Sequence, residues 1–311
     1  MNKHILMVGT LAAMSVSGAA HADYKAKVSA YGSVRVMIED NDVKENISGE
    51  DALSRFGIKA SQKISSDLTA FGQIEFGVDA DDNGVNAAED TDRDIFRRLG
   101  RAGLKGSWGS ISFGAQTQVW HKFVRGAKFS DGVDTLRLGT IRDQDSLQYF
   151  GKFGGVKVGL SRSFEGNDNE HTQIGAAIPF PHGKLGVAYT LDEEGGLLGL
   201  RPEVRFGGTL VSLLYYNADS DFTAHGANLC KDGGDTVSQG LYAKQKLGSG
   251  FTLHGRYMEL DCDDDAKDAD STKVELIKQF NKKARIWFAY ETGEGGNVKD
   301  KEAQIGIRFD F

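Results

Sequence analysis

The clearest pattern in the chain runs from Glu302 to Phe311. Ala303, Ile305, Ile307, Phe309 and Phe311 alternate with Glu302, Gln304, Gly306, Arg308 and Asp310. Successive side chains of a strand point to opposite faces, so this segment reads as a strand with one apolar and one polar face, ending on an aromatic ring. The same period recurs near the start, where Val28, Ala30, Gly32, Val34, Val36 and Ile38 oppose Ser29, Tyr31, Ser33 and Arg35. Phe56, Ile58 and Ala60 then oppose Arg55, Lys59 and Ser61, and Leu68, Ala70, Ile74 and Phe76 oppose Thr69, Gln73 and Glu75. No stretch sustains a helical period. The chain is predicted to be all-β.

The connections fall into two classes. Short ones are Ser65-Ser66-Asp67, Gly106 to Gly109, Gly151 to Gly155, Pro179 to Gly183, Gly207-Gly208, Gly248-Ser249-Gly250 and Asn281-Lys282-Lys283. Long polar ones lie near 40–51, 80–93, 119–139, 165–170, 192–199, 217–236, 262–271 and 293–301. They alternate, and seven short turns with eight long loops imply 16 strands. A sandwich of two sheets needs no such alternation, and its outward faces are polar. Sixteen strands in a closed ring enclose a space too wide for side chains to fill, so the polar face lines water and the apolar face meets lipid. The predicted fold is therefore a 16-stranded antiparallel transmembrane β-barrel.

Composition agrees with that reading. Glycine is 40 of 311 residues and proline only 3, which suits many strands joined by tight turns, while 18 Phe and 9 Tyr argue against disorder. Residues 1–22 are read as a signal peptide. Met1 to His4 is a short basic start, Ile5 to Ala13 is apolar, and Ala20-His21-Ala22 is a small-x-small cleavage site. Residues 23–311 then form one barrel domain in an exported protein. No later segment has 18 consecutive apolar residues, as a spanning helix requires.

Ser54 to Lys59, continued through Ile64 to Glu75, closely resembles the second hairpin of the general diffusion porins of enteric bacteria. Arg98 to Lys105, Gly109 to Gly114 and the terminal Phe311 resemble them too. The resemblance is strong over 28–115, extends to 140–164 and the C-terminus, and is architectural elsewhere. It implies a usually trimeric barrel in the outer membrane of a Gram-negative bacterium, set among lipid and lipopolysaccharide, whose third loop folds inward to narrow the pore. It also implies a ladder of basic wall residues facing acids on that loop. Arg55 and Arg98 fall on matching positions. Ser33 replaces the family's lysine in the first strand, and Arg35, on the same face, stands in for it. Loop 119–139 lacks the Pro-Glu-Phe-Gly-Gly run of the enteric members; Asp131 and Asp134 are the candidate acids, with Arg137 and Arg142 completing the basic side. The function implied is non-specific passage of small hydrophilic solutes and ions, filtered by size and charge. The alternatives are a substrate-selective porin, which needs an aromatic track or a cluster of one charge along the lumen, and a non-porous barrel acting as adhesin or enzyme.

Other chemistry is sparse. Cys230 and Cys262 are the only cysteines, lie in long loops flanking one hairpin, and in an oxidising compartment are expected to pair. Asp79-Ala80-Asp81-Asp82-Asn83-Gly84 with Asp90 approaches a calcium-loop spacing but ends on Asp and lacks flanking helices, so it is read as a solvated acidic loop. The same holds for Asp261 to Asp265. No catalytic motif, metal site or cofactor is expected. With 37 Lys plus Arg against 44 Asp plus Glu the chain is net negative, which disfavours nucleic acid; much of this charge sits on loops outside the pore, so it does not settle the ion preference, and cation passage is a lean only.

Overall fold

A computed structural model describes residues 25–41, 47–79, 95–126, 128–132, 135–164, 170–192, 195–219, 230, 235–263, 268–295 and 301–311. Strands β1 (Lys27–Asn41), β2 (Ser48–Asp51), β3 (Arg55–Lys63), β4 (Thr69–Val78), β5 (Ile95–Gly106) and β6 (Gly109–Thr117) come first. A six-residue helix, α1 (Val119–Val124), precedes β7 (Arg142–Phe153), β8 (Val156–Ser163), β9 (Thr172–Phe180), β10 (Gly183–Leu191) and β11 (Gly196–Phe206). The remainder is β12 (Thr209–Ala218), β13 (Thr236–Gly248), β14 (Phe251–Cys262), β15 (Ala269–Gln279), β16 (Ala284–Glu294) and β17 (Lys301–Asp310). β2 and β3 both pair with β1, at Val36–Glu39 and Lys27–Ser33 respectively, so together they form one stave. The break between them falls at Leu53, whose φ is 70°. Sixteen staves result, as expected.

Every pair is antiparallel with its neighbour in sequence, and β17 pairs with β1 from Ser33↔Asp310 to Asn41↔Glu302. The sheet is thereby closed. Beyond the last ladder residue, Phe311 N–H donates to the Gly32 carbonyl (3.1 Å), and Gly32 N–H donates to the Phe311 carbonyl (3.3 Å). The Phe311 ring covers Gly32 so closely that a Cβ there would lie 2.2 Å from it. Closure removes the two unpaired edges that an open sheet exposes.

Burial is inverted relative to a water-soluble protein. Ile58 and Phe309 are 54% and 51% exposed, whereas Arg35 and Glu75 are 4% and 7%. Alternation along each strand thus sends polar groups inward and aliphatic or aromatic groups outward, the arrangement of a wall between water and lipid. Exposed aromatic rings also gather where strands meet the short turns: Trp108, Phe153, Phe180, Phe206, Phe251 and Phe280. Trp108 stacks on Tyr149 at 6.4 Å, and the Tyr149 hydroxyl donates to the Trp108 carbonyl (2.7 Å). Such a girdle sits where hydrocarbon gives way to headgroups. The short and long connections fall at opposite rims, as the spacing predicted.

Candidate functional site

One side of the lumen is a wall of arginines. Arg35 on β1 and Arg55 on β3 take their inward direction from strand parity, and Arg35↔Arg308 across the β1–β17 pair adds a third. Arg98 depends on a bulge. Glu75 pairs with Leu99 and Phe76 with Arg97, leaving Arg98 as the extra residue. A bulge re-aims the extra side chain; here it points inward, and Arg98 Nε donates to Glu75 Oε1 at 3.0 Å, both nearly buried. Arg142, at the start of β7, lies within electrostatic reach of Arg98, Glu75 and Arg55. Four of the arginines predicted from sequence therefore converge.

The described residues of 118–141 lie mainly against the inner surface of β7–β15, with Gly132 reaching Leu53 between β2 and β3. Helix α1 buries Val119, Trp120, Phe123 and Val124 there. The wall receives it through glycines: a Cβ on Gly159 or Gly175 would meet the Phe123 ring at 2.8 and 2.4 Å, one on Gly186 the Phe123 carbonyl oxygen at 2.3 Å, and one on Gly199 the Trp120 ring at 2.4 Å. Gly159 and Gly175 are direct cross-strand partners, so the four strands carry a shallow trough. Trp120 also lies 5.8 Å from the Tyr216 ring, whose hydroxyl donates to the Val124 carbonyl (2.8 Å). Around this contact the wall's inward residues turn apolar, with Leu197, Leu214, Met258 and Leu260 buried in one cluster with the helix.

Further along, charge replaces packing. Asp131 does not face the arginines. Its Oδ2 takes a hydrogen bond of 2.5 Å from Lys273 Nζ on β15, and both side chains are almost wholly buried. Lys273 also bonds Glu291 Oε2 (2.9 Å), and Glu291 Oε1 accepts from Arg256 (2.6 Å). One residue earlier, the Ser130 N–H donates to Glu275 Oε2 (2.7 Å), and Ser238 donates to the Leu136 carbonyl (2.5 Å). A carboxylate in a dry contact needs a cation against it, and Lys273 is on this wall. Asp134 lies outside the described residues, as do all but Asp79 of the acidic run 79–90.

The segment's basic residues cluster instead. His121 is buried, with Arg125, Arg137, Lys128 and Arg142 all in electrostatic reach. Burial first and these cations second hold its imidazole far below the ordinary histidine range, so it is neutral. Arg137 thus sits on the segment beside His121, within reach of Arg142's neighbourhood.

Cys230 and Cys262 form a disulfide, with Cα atoms 5.6 Å apart. It fixes loop residue 230 to the last residue of β14. Among the described residues no group of three or more His, Cys, Asp or Glu is arranged to hold a metal. Sequence reasoning missed Trp120, Phe123, Lys273, Glu275 and Glu291. The signal for the first two was the inward glycines at 159, 175, 186 and 199 on adjacent strands.

A model of the Gram-negative porin family matches residues 9–311. Outer membrane porin C of Serratia marcescens is 27% identical over 209 residues, covering 62% of this chain and 53% of that protein. The chain thus spans about half the length of that curated relative. A Salmonella typhi OmpF structure superposes with a TM-score of 0.74 at 16% identity, covering 92% of this chain and 98% of the other. OmpT of Vibrio cholerae, in a trimer form, gives 0.71 at 17% identity, with 92% and 99% covered.

Proposed function

The chain belongs to the Gram-negative porin family and is an outer-membrane β-barrel, and from that premise we propose that it forms a water-filled channel for passive, non-specific diffusion of small hydrophilic solutes and ions. The observation that carries this is the inverted burial: charged and polar side chains occupy most of the inner face, outside the patch under α1 and the loop that follows it, while apolar ones face outward. Water-lined walls of this width enclose a continuous aqueous path. Segment 118–141 is the inward-folded third loop. It narrows the path to the gap between itself and the arginine wall, where size and fixed charge do the filtering. Residues 1–22 are a cleaved export signal, and the barrel sits among lipid and lipopolysaccharide as a homotrimer, a form in which the Vibrio cholerae OmpT was solved.

Purified protein added to a planar bilayer is expected to give stepwise conductance, in multiples of three if trimers insert. A protein that inserts without any conductance steps overturns the channel reading. Liposome swelling with sugars of increasing size is expected to fall off smoothly with solute size; a response confined to one sugar or acid would replace general diffusion by a selective pore.

A further inference from the structure

Among the described residues, the charges that meet at the narrow zone are mostly cationic. On segment 118–141, the described acid, Asp131, is turned to the wall and neutralised by Lys273. The same segment carries Arg125, Lys128 and Arg137. Lys128 is exposed, and among the described residues the charged groups that act on it most strongly are Arg125 from its own segment, Arg201 and Lys184 from β11 and β10, and Arg55 from β3. All four are cations. They come from both sides of the lumen.

Three acids of this zone are held by arginine, while Asp143 is held by Gln118 and His171. Glu75 is bonded to Arg98 (3.0 Å), Asp310 to Arg308 (2.7 Å), and Glu203 to both Arg201 (3.1 Å) and Arg205 (2.8 Å). Beneath α1, towards the short-turn rim, a cavity of about 580 Å³ continues the pattern. Its charged lining is Lys105, Lys122, Lys152 and Lys157, with no carboxylate. Walls of low dielectric focus such a field into the water between them and enrich the counter-ion.

Building on the channel reading above, we propose that the pore selects small anions, that Lys128 and Arg137 of the third loop set this selectivity together with Arg55, and that the lysine-lined cavity carries the anion on to the short-turn rim. The physical reason is the docking of Asp131. Once Asp131 is used to fasten the loop to β15, the charges that remain on the loop's described residues repeat the sign of the opposite wall instead of opposing it. Inorganic phosphate and short carboxylates are the solute class such a path favours.

The test is a reversal potential in a tenfold potassium chloride gradient across a planar bilayer. The native protein should give the sign of chloride, with chloride over potassium favoured on the order of tenfold. Lys128→Gln should reduce that ratio, and Lys128→Glu combined with Arg137→Glu should invert it. Lys128 is exposed, so Lys128→Gln leaves the barrel's packing intact and remains informative if the double variant fails to fold. Conductance with the sign of potassium, or a ratio unmoved by Lys128→Gln, overturns anion selection while leaving the channel standing. Absence of conductance overturns both.

Discussion

Replacing Lys273 with Met asks whether an ion pair fastens the third loop. The Lys273 and Asp131 side chains are each 1% exposed, with Nζ and Oδ2 2.5 Å apart. Met keeps the length and apolar stem and removes the charge. It leaves Asp131 buried without Lys273, beside Glu291, which keeps Arg256 at 2.6 Å. Breaking a buried pair in this way costs about 3–5 kcal/mol, because the remaining charge is stranded. Asp131→Asn should cost less, about 1–3 kcal/mol, since Lys273 retains Glu291 at 2.9 Å and only a hydrogen bond is degraded. The double variant strands no carboxylate at position 131, so its cost should fall short of the sum by at least about 1.5 kcal/mol. The loop should not leave the wall altogether. Burial of Val119, Trp120, Phe123 and Val124 contributes about 1.5–3 kcal/mol per side chain, more in total than the pair. The expected phenotype is a loop anchored at α1 and loosened around residue 130. Urea unfolding in detergent measures the three costs, and single-channel current noise reports the loosening. Additive costs, with coupling below about 0.5 kcal/mol, would refute the claim that charge fastens this part of the loop.

Gly186→Ala should displace α1 and raise conductance, because its Cβ would meet the Phe123 carbonyl oxygen at 2.3 Å, whereas Gly72→Ala, with its nearest atom at 3.7 Å, should change neither conductance nor stability by more than about 0.5 kcal/mol. Reduction of Cys230–Cys262, which closes a separation of 32 residues, should lower unfolding stability by about 3–4 kcal/mol in denaturant titration and leave conductance unchanged. His121 is neutral when docked and its pKa there lies far below 6.5, so the undocked loop binds the proton more strongly. Docking should accordingly be complete above pH 6.5 and weaken by up to about 1.4 kcal/mol per pH unit below it; a pH series of current noise that is the same in native protein and His121→Phe would count against this.

The staves were legible because each lies between two solvents. Wherever a strand touches water on one side and lipid on the other, its residues must alternate, and β1, β3, β4 and β17 can be read straight from the chain. Turn chemistry located the short rim, and two cysteines in an exported chain paired as expected. Arg35 and Arg55 followed from parity. Arg98 followed from parity as well as from resemblance, but its inward direction comes from the bulge at Glu75 and Phe76, which resets the phase of β5 relative to β4. Parity says least where the wall meets protein instead of water. Along β11–β14 the inward positions Leu197, Leu214, Met258 and Leu260 are apolar and buried in one cluster with α1, Phe129, Leu136 and Leu138 of the inward segment, and from the sequence alone such residues only weaken the strand signal. A helix of six residues is likewise too short to show its own period.

Charge is the property that counting along the sequence describes least, and the reason is geometric. Net charge counts every carboxylate equally, yet a permeating ion feels chiefly those within a Debye length of its path, roughly 8–10 Å in physiological salt. Many of this chain's acids stand in the long connections, in the runs 79–92 and 261–270, while the inner wall at β1, β3, β5 and β17 presents Arg35, Arg55, Arg98 and Arg308. Asp131 shows the further step that counting cannot make. Its position in the third loop is what the resemblance implied; its role turns on Lys273, 142 residues away in sequence. With that lysine on β15, the acid serves as a fastener and is lost to the field. Without it, the same aspartate loses its salt bridge to the wall and its charge is no longer cancelled there. Lys273→Met, which removes this salt bridge and changes no group lining the gap itself, should move the reversal potential towards potassium.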